Sequence, residues 1–66
     1  MWENIETVEC LGERGEIIDV TKQMRLIDGR RQTRWLASRG NELLIERSDG
    51  HFETKNGGEI IARFPG

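Results

Sequence analysis

Hydrophobic and polar residues alternate along most of this chain, and two Asp-Gly pairs interrupt the alternation. Asp28-Gly29 and Asp49-Gly50 each lie between two alternating segments. An Asp-Gly pair in this position is the strongest short-range signal for a β-hairpin, because both residues tolerate the positive φ angles of a type I′ turn. The pattern therefore predicts a sheet built mainly from antiparallel hairpins.

The first Asp-Gly pair predicts the register of the hairpin around it. A two-residue turn at Asp28-Gly29 pairs residues 23–27 with residues 30–34. Successive side chains of a strand point to opposite faces, so this pairing separates two sets of residues. One face resembles a core and carries Met24, Leu26, Thr33 and Trp35, with Arg31 at its rim. The opposite face carries Gln23, Arg25, Ile27, Arg30, Gln32 and Arg34.

The later turns predict that the following strands continue the same core face. A three-residue loop at residues 39–41 places Trp35 opposite Ile45 and gives Asn41 a left-handed conformation, which Asn tolerates. A two-residue turn at Asp49-Gly50 and a three-residue loop at residues 56–58 complete the series. The predicted core side of these strands comprises Ala37, Leu43, Ile45, Phe52, Thr54, Ile60, Ala62 and Phe64.

The first third of the chain predicts two more strands, at residues 5–11 and 16–20, with a turn at residues 12–15. Five or six short strands in a meander predict a single all-β domain over residues 1–66. Its architecture is expected to be a curled sheet or a small SH3-like barrel, because closure removes exposed strand edges.

A winged helix-turn-helix is the alternative fold. In it, Thr21 would cap a helix that ends near Ile27, and residues 31–38 would form a second helix. The alternation over residues 23–26 and the Asp-Gly pair between the two segments favour the sheet.

The length of the chain limits its core. A domain of 66 residues buries only about 60% of the surface that its unfolded chain exposes, and small domains compensate with disulfides, a metal ion or a second subunit. Cys10 is the only cysteine and His51 the only histidine, so one chain supplies neither a disulfide nor four zinc ligands. We therefore expect no metal and no cofactor, and a homo-oligomer is a natural means of stabilisation.

The same features predict where the protein acts. A lone cysteine is typical of a reducing compartment, and the first residues resemble no secretory leader. No apolar run approaches the roughly 20 residues of a membrane span. We expect a cytoplasmic protein without membrane contact.

Charge is unevenly distributed along the chain. Residues 1–21 contain six acidic residues and one arginine, whereas residues 22–39 contain six cations and one aspartate. The net charge of −2 makes non-specific binding of nucleic acid weak, because that affinity grows with the number of phosphates neutralised. The basic segment can still meet an anionic partner locally.

One hairpin brings candidate catalytic residue types together. Ser48, Asp49 and His51 flank the second Asp-Gly turn, with Ser48 predicted opposite His51. Ser and Asp are ordinary turn residues, and the outer face of a hairpin offers no pocket and no oxyanion donor. We therefore predict no catalytic residue and no enzymatic activity.

The cationic hairpin face is the candidate partner-binding site. It comprises Gln23, Arg25, Arg30, Gln32 and Arg34. Five of the six cations in residues 22–39 are arginines, and arginine binds carboxylate and phosphate groups through its planar fork. We predict a small binding module that contacts an acidic protein surface or a second copy of itself. A nucleic-acid-binding regulator is the alternative. Trp2 precedes the first strand and is predicted to cover a barrel end or a second subunit.

Overall fold

The computed structural model describes residues 1–64, which form six antiparallel strands and no helix. The strands are β1 Glu3–Leu11, β2 Ile17–Ile27, β3 Arg30–Ala37, β4 Glu42–Glu46, β5 Phe52–Thr54 and β6 Ile60–Arg63. Consecutive strands pair with one another, and β6 pairs with β1 to close a barrel. The predicted all-β meander is confirmed, and the helix-turn-helix alternative is wrong. Since no helix occurs over this range, none is present that could cross a membrane.

The hairpin between β2 and β3 has the predicted register. Asp28 and Gly29 both have positive φ, 52° and 74°, as a type I′ turn requires. Ile27 pairs with Arg30, and the ladder continues without a shift to Val20 and Ala37. The segments predicted as two strands, at residues 16–20 and 23–27, are one continuous β2.

The register between β3 and β4 differs from the prediction by one residue. Trp35 pairs with Leu44 rather than Ile45, because the connecting loop has four residues, 38–41. Asn41 has the predicted positive φ of 52°, but Gly40 before it also has one, at 66°. The shift exchanges the faces of β4, so that Leu44 is 7% exposed and Ile45 is 51% exposed.

The second Asp-Gly pair does not form the predicted two-residue turn, so the predicted register of β4 and β5 is wrong by one residue. Only Gly50 has a positive φ, 88°, and the Arg47 and His51 backbones close a three-residue loop with an N–H···O distance of 2.8 Å. The Asp49 carboxylate accepts a hydrogen bond from the His51 amide at 3.0 Å. A shift at the next turn likewise places Ile61, rather than the predicted Ile60, in the core, where Ile61 pairs with Phe52.

The core is small and lies inside the closed part of the barrel. Its buried apolar residues are Cys10, Ile18, Val20, Trp35, Ala37, Leu44, Phe52 and Ile61. The Trp35 and Phe52 rings pack with their centroids 4.7 Å apart. Burial raises the pKa of the Cys10 thiol, so this cysteine is an apolar packing residue.

Closure of the barrel involves only one end of its first three strands. β1 pairs with β6 only at Cys10 and Leu11, and β3 pairs with β4 only from Trp35 to Ala37. The remaining parts form a three-stranded sheet that projects from the barrel, consisting of Glu3–Glu6, Lys22–Ile27 and Arg30–Arg34. We call this sheet the extension. It accounts for the elongated shape of the molecule, 40 by 25 by 24 Å.

The inner face of the extension, which continues the barrel interior, is not covered. Leu26, predicted to be core, is 67% exposed, and Thr33 is also exposed. The alternation identified the correct face, but no strand within residues 1–64 packs across it. Only Trp35 of that predicted set is buried.

Candidate binding face on the extension

The five residues predicted to bind a partner lie together on the outer face of the extension. Gln23 pairs with Arg34, Arg25 with Gln32, and Ile27 with Arg30, so residues 23, 25, 30, 32 and 34 share one side of the β2–β3 hairpin. We call this surface the arginine face. The turn at Asp28-Gly29 fixes its register, because a two-residue turn leaves no freedom in the pairing of the strands it joins.

Neutral amides position two of the arginines. Arg25 Nε donates to Gln32 Oε1, and Arg34 Nε donates to Gln23 Oε1, both at 2.8 Å. Gln23 in turn donates to Asn4 Oδ1 of β1 at 2.8 Å. Each guanidinium uses its Nε in this way, and its two terminal nitrogens make no hydrogen bond to residues 1–64. These two terminal nitrogens can donate two parallel hydrogen bonds to one carboxylate.

Trp2 packs on the same two arginines. The guanidinium carbons of Arg25 and Arg34 lie 4.3 and 4.1 Å from the ring centroid, which is a cation–π geometry. Trp2 therefore belongs to the arginine face and covers no barrel end. Asn4 pairs with Gln23 on the outer face. Alternate residues of a strand share a face, so Trp2, two positions before Asn4, lies on the outer face as well.

The arginine face contains no compensating acid. Within the described residues, no carboxylate forms an ion pair with Arg25, Arg30 or Arg34. Three arginines of the barrel, Arg39, Arg47 and Arg63, differ in this respect. Each has a carboxylate within 3.2 Å, in the pairs Arg39–Glu59, Arg39–Glu42, Arg47–Glu53, Arg47–Asp49 and Arg63–Glu46.

These ion pairs shift the pKa values of the barrel residues. Hydrogen bonding to Glu59 and Glu42 raises the pKa of Arg39. Arg39 lowers the pKa of Glu59, and the His51 backbone amide, followed by Arg47, lowers that of Asp49.

A polar cleft of about 340 Å³ lies at the closed end of the barrel, lined by Glu13, Arg14, Arg39, Gly57, Gly58 and Glu59. Three of its four charged side chains, Glu13, Arg39 and Glu59, are already engaged with each other or with the backbone. Glu13 accepts a hydrogen bond from the Ile60 amide at 3.0 Å, and Glu59 accepts one from Arg39 at 2.8 Å. This arrangement connects the β1–β2 turn to β6 and so serves barrel closure.

The second Asp-Gly hairpin does not assemble a catalytic group. Asp49 bonds to the His51 backbone rather than to the imidazole, and His51 Nδ1 accepts a hydrogen bond from the Arg63 amide at 3.1 Å. Ser48 is exposed and lies in the loop rather than opposite His51. Over residues 1–64, no three His, Cys, Asp or Glu side chains are arranged to hold a metal ion.

No family model matches the chain, and no curated protein or solved structure matches it. The arginine face is the most distinctive chemical feature of the described residues. It combines three cations, two amides and an indole ring on one exposed sheet surface. Such a surface can bind carboxylate or phosphate groups through the free ends of its guanidinium groups.

Proposed function

We propose that this protein is a non-enzymatic binding module whose arginine face contacts an acidic surface of a protein partner. The observation that carries the proposal is the absence of any carboxylate on this face, although every barrel arginine from Arg39 onwards has one. Unpaired arginines on a small acidic protein are available to an external anion.

Preorganisation supports the proposal further. Gln32, Gln23 and the Trp2 ring hold the Arg25 and Arg34 side chains in place before any partner arrives. A flexible arginine loses rotamer freedom when it binds, and that cost is smaller when the side chain is already held. Arginine and tryptophan are also enriched at protein interfaces and at their energetic hot spots.

The charge of the whole protein favours a protein partner over nucleic acid. The net charge is −2, and affinity for a phosphate backbone grows with the number of phosphates neutralised. Three arginines neutralise few phosphates, whereas a compact acidic patch on a protein needs only the arginine face.

Binding of labelled poly-L-glutamate and of a labelled single-stranded oligonucleotide, measured by fluorescence anisotropy, tests the proposal. We expect the wild type to bind poly-L-glutamate, and the triple variant Arg25→Gln, Arg30→Gln, Arg34→Gln to lose at least about tenfold in affinity. The matched control is Arg14→Gln, Arg31→Gln, Lys55→Gln. It removes the same charge from exposed residues outside the arginine face and should bind within about twofold of the wild type.

Two results would overturn the proposal. In the first, the two triple variants lose the same affinity, which would make binding a response to net charge alone. In the second, the oligonucleotide binds more tightly than poly-L-glutamate, with a slope in log K against log salt of about −0.7 per phosphate contacted. That second result would assign the face to nucleic acid.

A further inference from the structure

The extension has two strand edges that pair with nothing within residues 1–64. β3 has no partner beside Arg30–Arg34 except β2, because β4 begins to pair at Trp35. β1 has no partner beside Glu3–Glu6 except β2, because β6 reaches only Cys10 and Leu11. Free edges of this kind expose backbone N–H and C=O groups, which recruit further strands unless they are blocked.

The two edges carry opposite charges. The β3 edge has Arg30, Arg31 and Arg34 and no acid, whereas the β1 edge has Glu3 and Glu6 and no cation. None of these five side chains forms an ion pair among the described residues. The sheet keeps Glu3 and Glu6 apart from Arg30 and Arg34, because Glu3 and Glu6 pair with Met24 and Lys22 on the inner face while Arg30 and Arg34 lie on the outer face.

We propose that the acidic partner of the arginine face is the β1 edge of a second copy of this chain, which adds antiparallel to the free edge of β3. The inference rests on the proposed function and names the partner for it. We name a second copy because its acidic β1 edge complements the basic β3 edge in charge. The same charges disfavour the other edge pairings between two copies. Pairing β3 with β3 sets arginines beside arginines, and pairing β1 with β1 sets glutamates beside glutamates.

The antiparallel direction also follows from sheet geometry. In an antiparallel addition, β1 of the second copy runs opposite to β3 of the first copy. The second copy must be turned over to achieve this, so its inner face lies on the same side of the sheet as the outer face of the first copy. Glu3 and Glu6 of the added strand then lie on the same side as Arg30 and Arg34. A parallel addition would keep the faces in register and present Asn4 and Thr7 to the arginines instead.

The contact is heterologous, so it does not close on itself in a pair. Each copy that adds its β1 edge still offers its own β3 edge, and assembly therefore continues beyond the dimer. The proposed contact has two components, ion pairs between side chains and backbone hydrogen bonds between strands. Different substitutions remove each component.

Sedimentation equilibrium over a range of protein concentrations tests the side-chain pairing. We expect the wild type to form a concentration-dependent series that extends past the dimer. Variant Arg30→Gln, Arg34→Gln lacks the basic edge and variant Glu3→Gln, Glu6→Gln lacks the acidic edge, so each alone should be a monomer. Mixed together they should form a one-to-one heterodimer that grows no further, because one compatible pair of edges remains. The control Glu9→Gln, Asp19→Asn removes two exposed acids from the barrel part of β1 and β2 and should assemble like the wild type.

A proline substitution tests the backbone ladder. Arg30 and Gln32 face their β2 partners in the hydrogen-bonded positions that follow a two-residue turn, so the Thr33 N–H points away from β2 to the free edge. Thr33→Pro removes that donor and leaves every charge in place, whereas Thr33→Ala leaves the donor. We expect Thr33→Pro to lose assembly but to keep its affinity for poly-L-glutamate, and Thr33→Ala to keep both.

The outcomes separate this inference from the function on which it rests. A wild type that stays monomeric while binding poly-L-glutamate through Arg30 and Arg34 would overturn self-assembly and leave the arginine face as a site for another acidic protein. Assembly that survives Thr33→Pro, or a closed dimer that persists in both charge variants, would overturn edge pairing. A wild type that neither assembles nor binds poly-L-glutamate would overturn both proposals.

Discussion

Arg39 in the barrel and Arg34 in the extension both donate hydrogen bonds at 2.8 Å, but to groups of different charge. Arg39 bonds to the carboxylate of Glu59, and Glu42 and Glu16 also lie within 3.8 Å of it. Arg34 bonds to the amide of Gln23 and packs on Trp2. In the barrel, carboxylates neutralise Arg39, Arg47 and Arg63. In the extension, neutral amides orient Arg25 and Arg34 without neutralising them.

Apolar residues follow the same division. Leu44 in the barrel is 7% exposed, whereas Leu26 in the extension is 67% exposed. Trp35 packs against Phe52 inside the barrel, and Trp2 lies on the surface against two guanidinium groups. The barrel therefore supplies the stability of the domain, and the extension contributes surface. The following predictions compare the same residue type in the two regions.

The largest difference is expected between the two tryptophans. Trp35→Ala removes a ring from the centre of a core of eight apolar residues and should cost about 3–5 kcal/mol, which approaches the whole stability of so small a domain. Trp2→Ala removes a surface stack and should cost less than about 1 kcal/mol. Urea unfolding followed by far-UV circular dichroism measures both.

One outcome would contradict the prediction for the two tryptophans. If Trp35→Ala remains folded and Trp2→Ala unfolds, the stabilising contacts lie on the extension and the division between the two regions is wrong. Trp2→Ala should instead weaken poly-L-glutamate binding, because Arg25 and Arg34 lose the ring that holds them.

A smaller difference is expected between two leucines. Leu44→Ala should destabilise the protein by about 2–5 kcal/mol, because it leaves a cavity beside Trp35. Leu26→Ala should change the stability by less than about 0.5 kcal/mol, since the side chain is already in contact with solvent. Equal urea unfolding midpoints for Leu44→Ala and Leu26→Ala would show that Leu26 is covered in solution. Ile45→Ala, also on an exposed position, is the control for the register of β4 and should resemble Leu26→Ala.

The sequence predicted the register of the hairpin whose two-residue turn formed as expected, whereas the second Asp-Gly pair formed a three-residue loop and shifted its register. The register of β2 and β3 follows from Asp28-Gly29, where both residues must adopt positive φ. The register of β4 does not follow in this way, because Leu43, Leu44 and Ile45 are three consecutive apolar residues and show no alternation. The Ser38 amide donates to the Asp19 carbonyl at 2.8 Å, which continues the β2–β3 ladder into the first residue of the loop and leaves residues 39–41 to turn the chain into β4.

The candidate site was predictable in its members but not in its organisation. Alternation together with the Asp28-Gly29 turn places Gln23, Arg25 and Arg34 on one face. These signals do not show that the face extends past the closed barrel, since closure depends on how far β6 and β4 reach along their neighbours. The position of Trp2 depends on the register of β1 on β2, which shifts between Asn4 and Glu6 and which the predicted turn at residues 12–15 did not specify.

The third prediction compares two arginines. Arg39→Gln leaves Glu42 and Glu59 close together without the cation between them, so we expect a lower urea midpoint than for the wild type. Arg34→Gln removes a charge that no described carboxylate balances, so its midpoint should be unchanged. In about 1 M salt the effect of Arg39→Gln should shrink, because surface charges are screened there. A loss of stability for Arg34→Gln as large as that for Arg39→Gln would contradict the distinction.

The smallest expected effect is a difference in acid sensitivity, and it belongs to the barrel. The pKa of Glu59 in the folded protein is below its ordinary value of 4.5, chiefly because Arg39 donates to it, and the pKa of Asp49 is also lowered. The unfolded chain therefore binds protons at a higher pH than the folded chain, so the stabilisation is complete above about pH 4.5 and is lost as the pH falls through the lower folded value. In urea midpoints measured from neutral pH down to pH 3, Arg39→Gln should show a shallower acid loss than the wild type, because Glu59 then titrates nearer its ordinary value. Arg34→Gln should follow the wild-type curve, since the Arg34 guanidinium of the wild type donates to the Gln23 amide, which does not titrate. If Arg39→Gln falls as steeply as the wild type, its ion pairs do not stabilise the barrel, and the charge difference between the barrel and the extension has no consequence for folding.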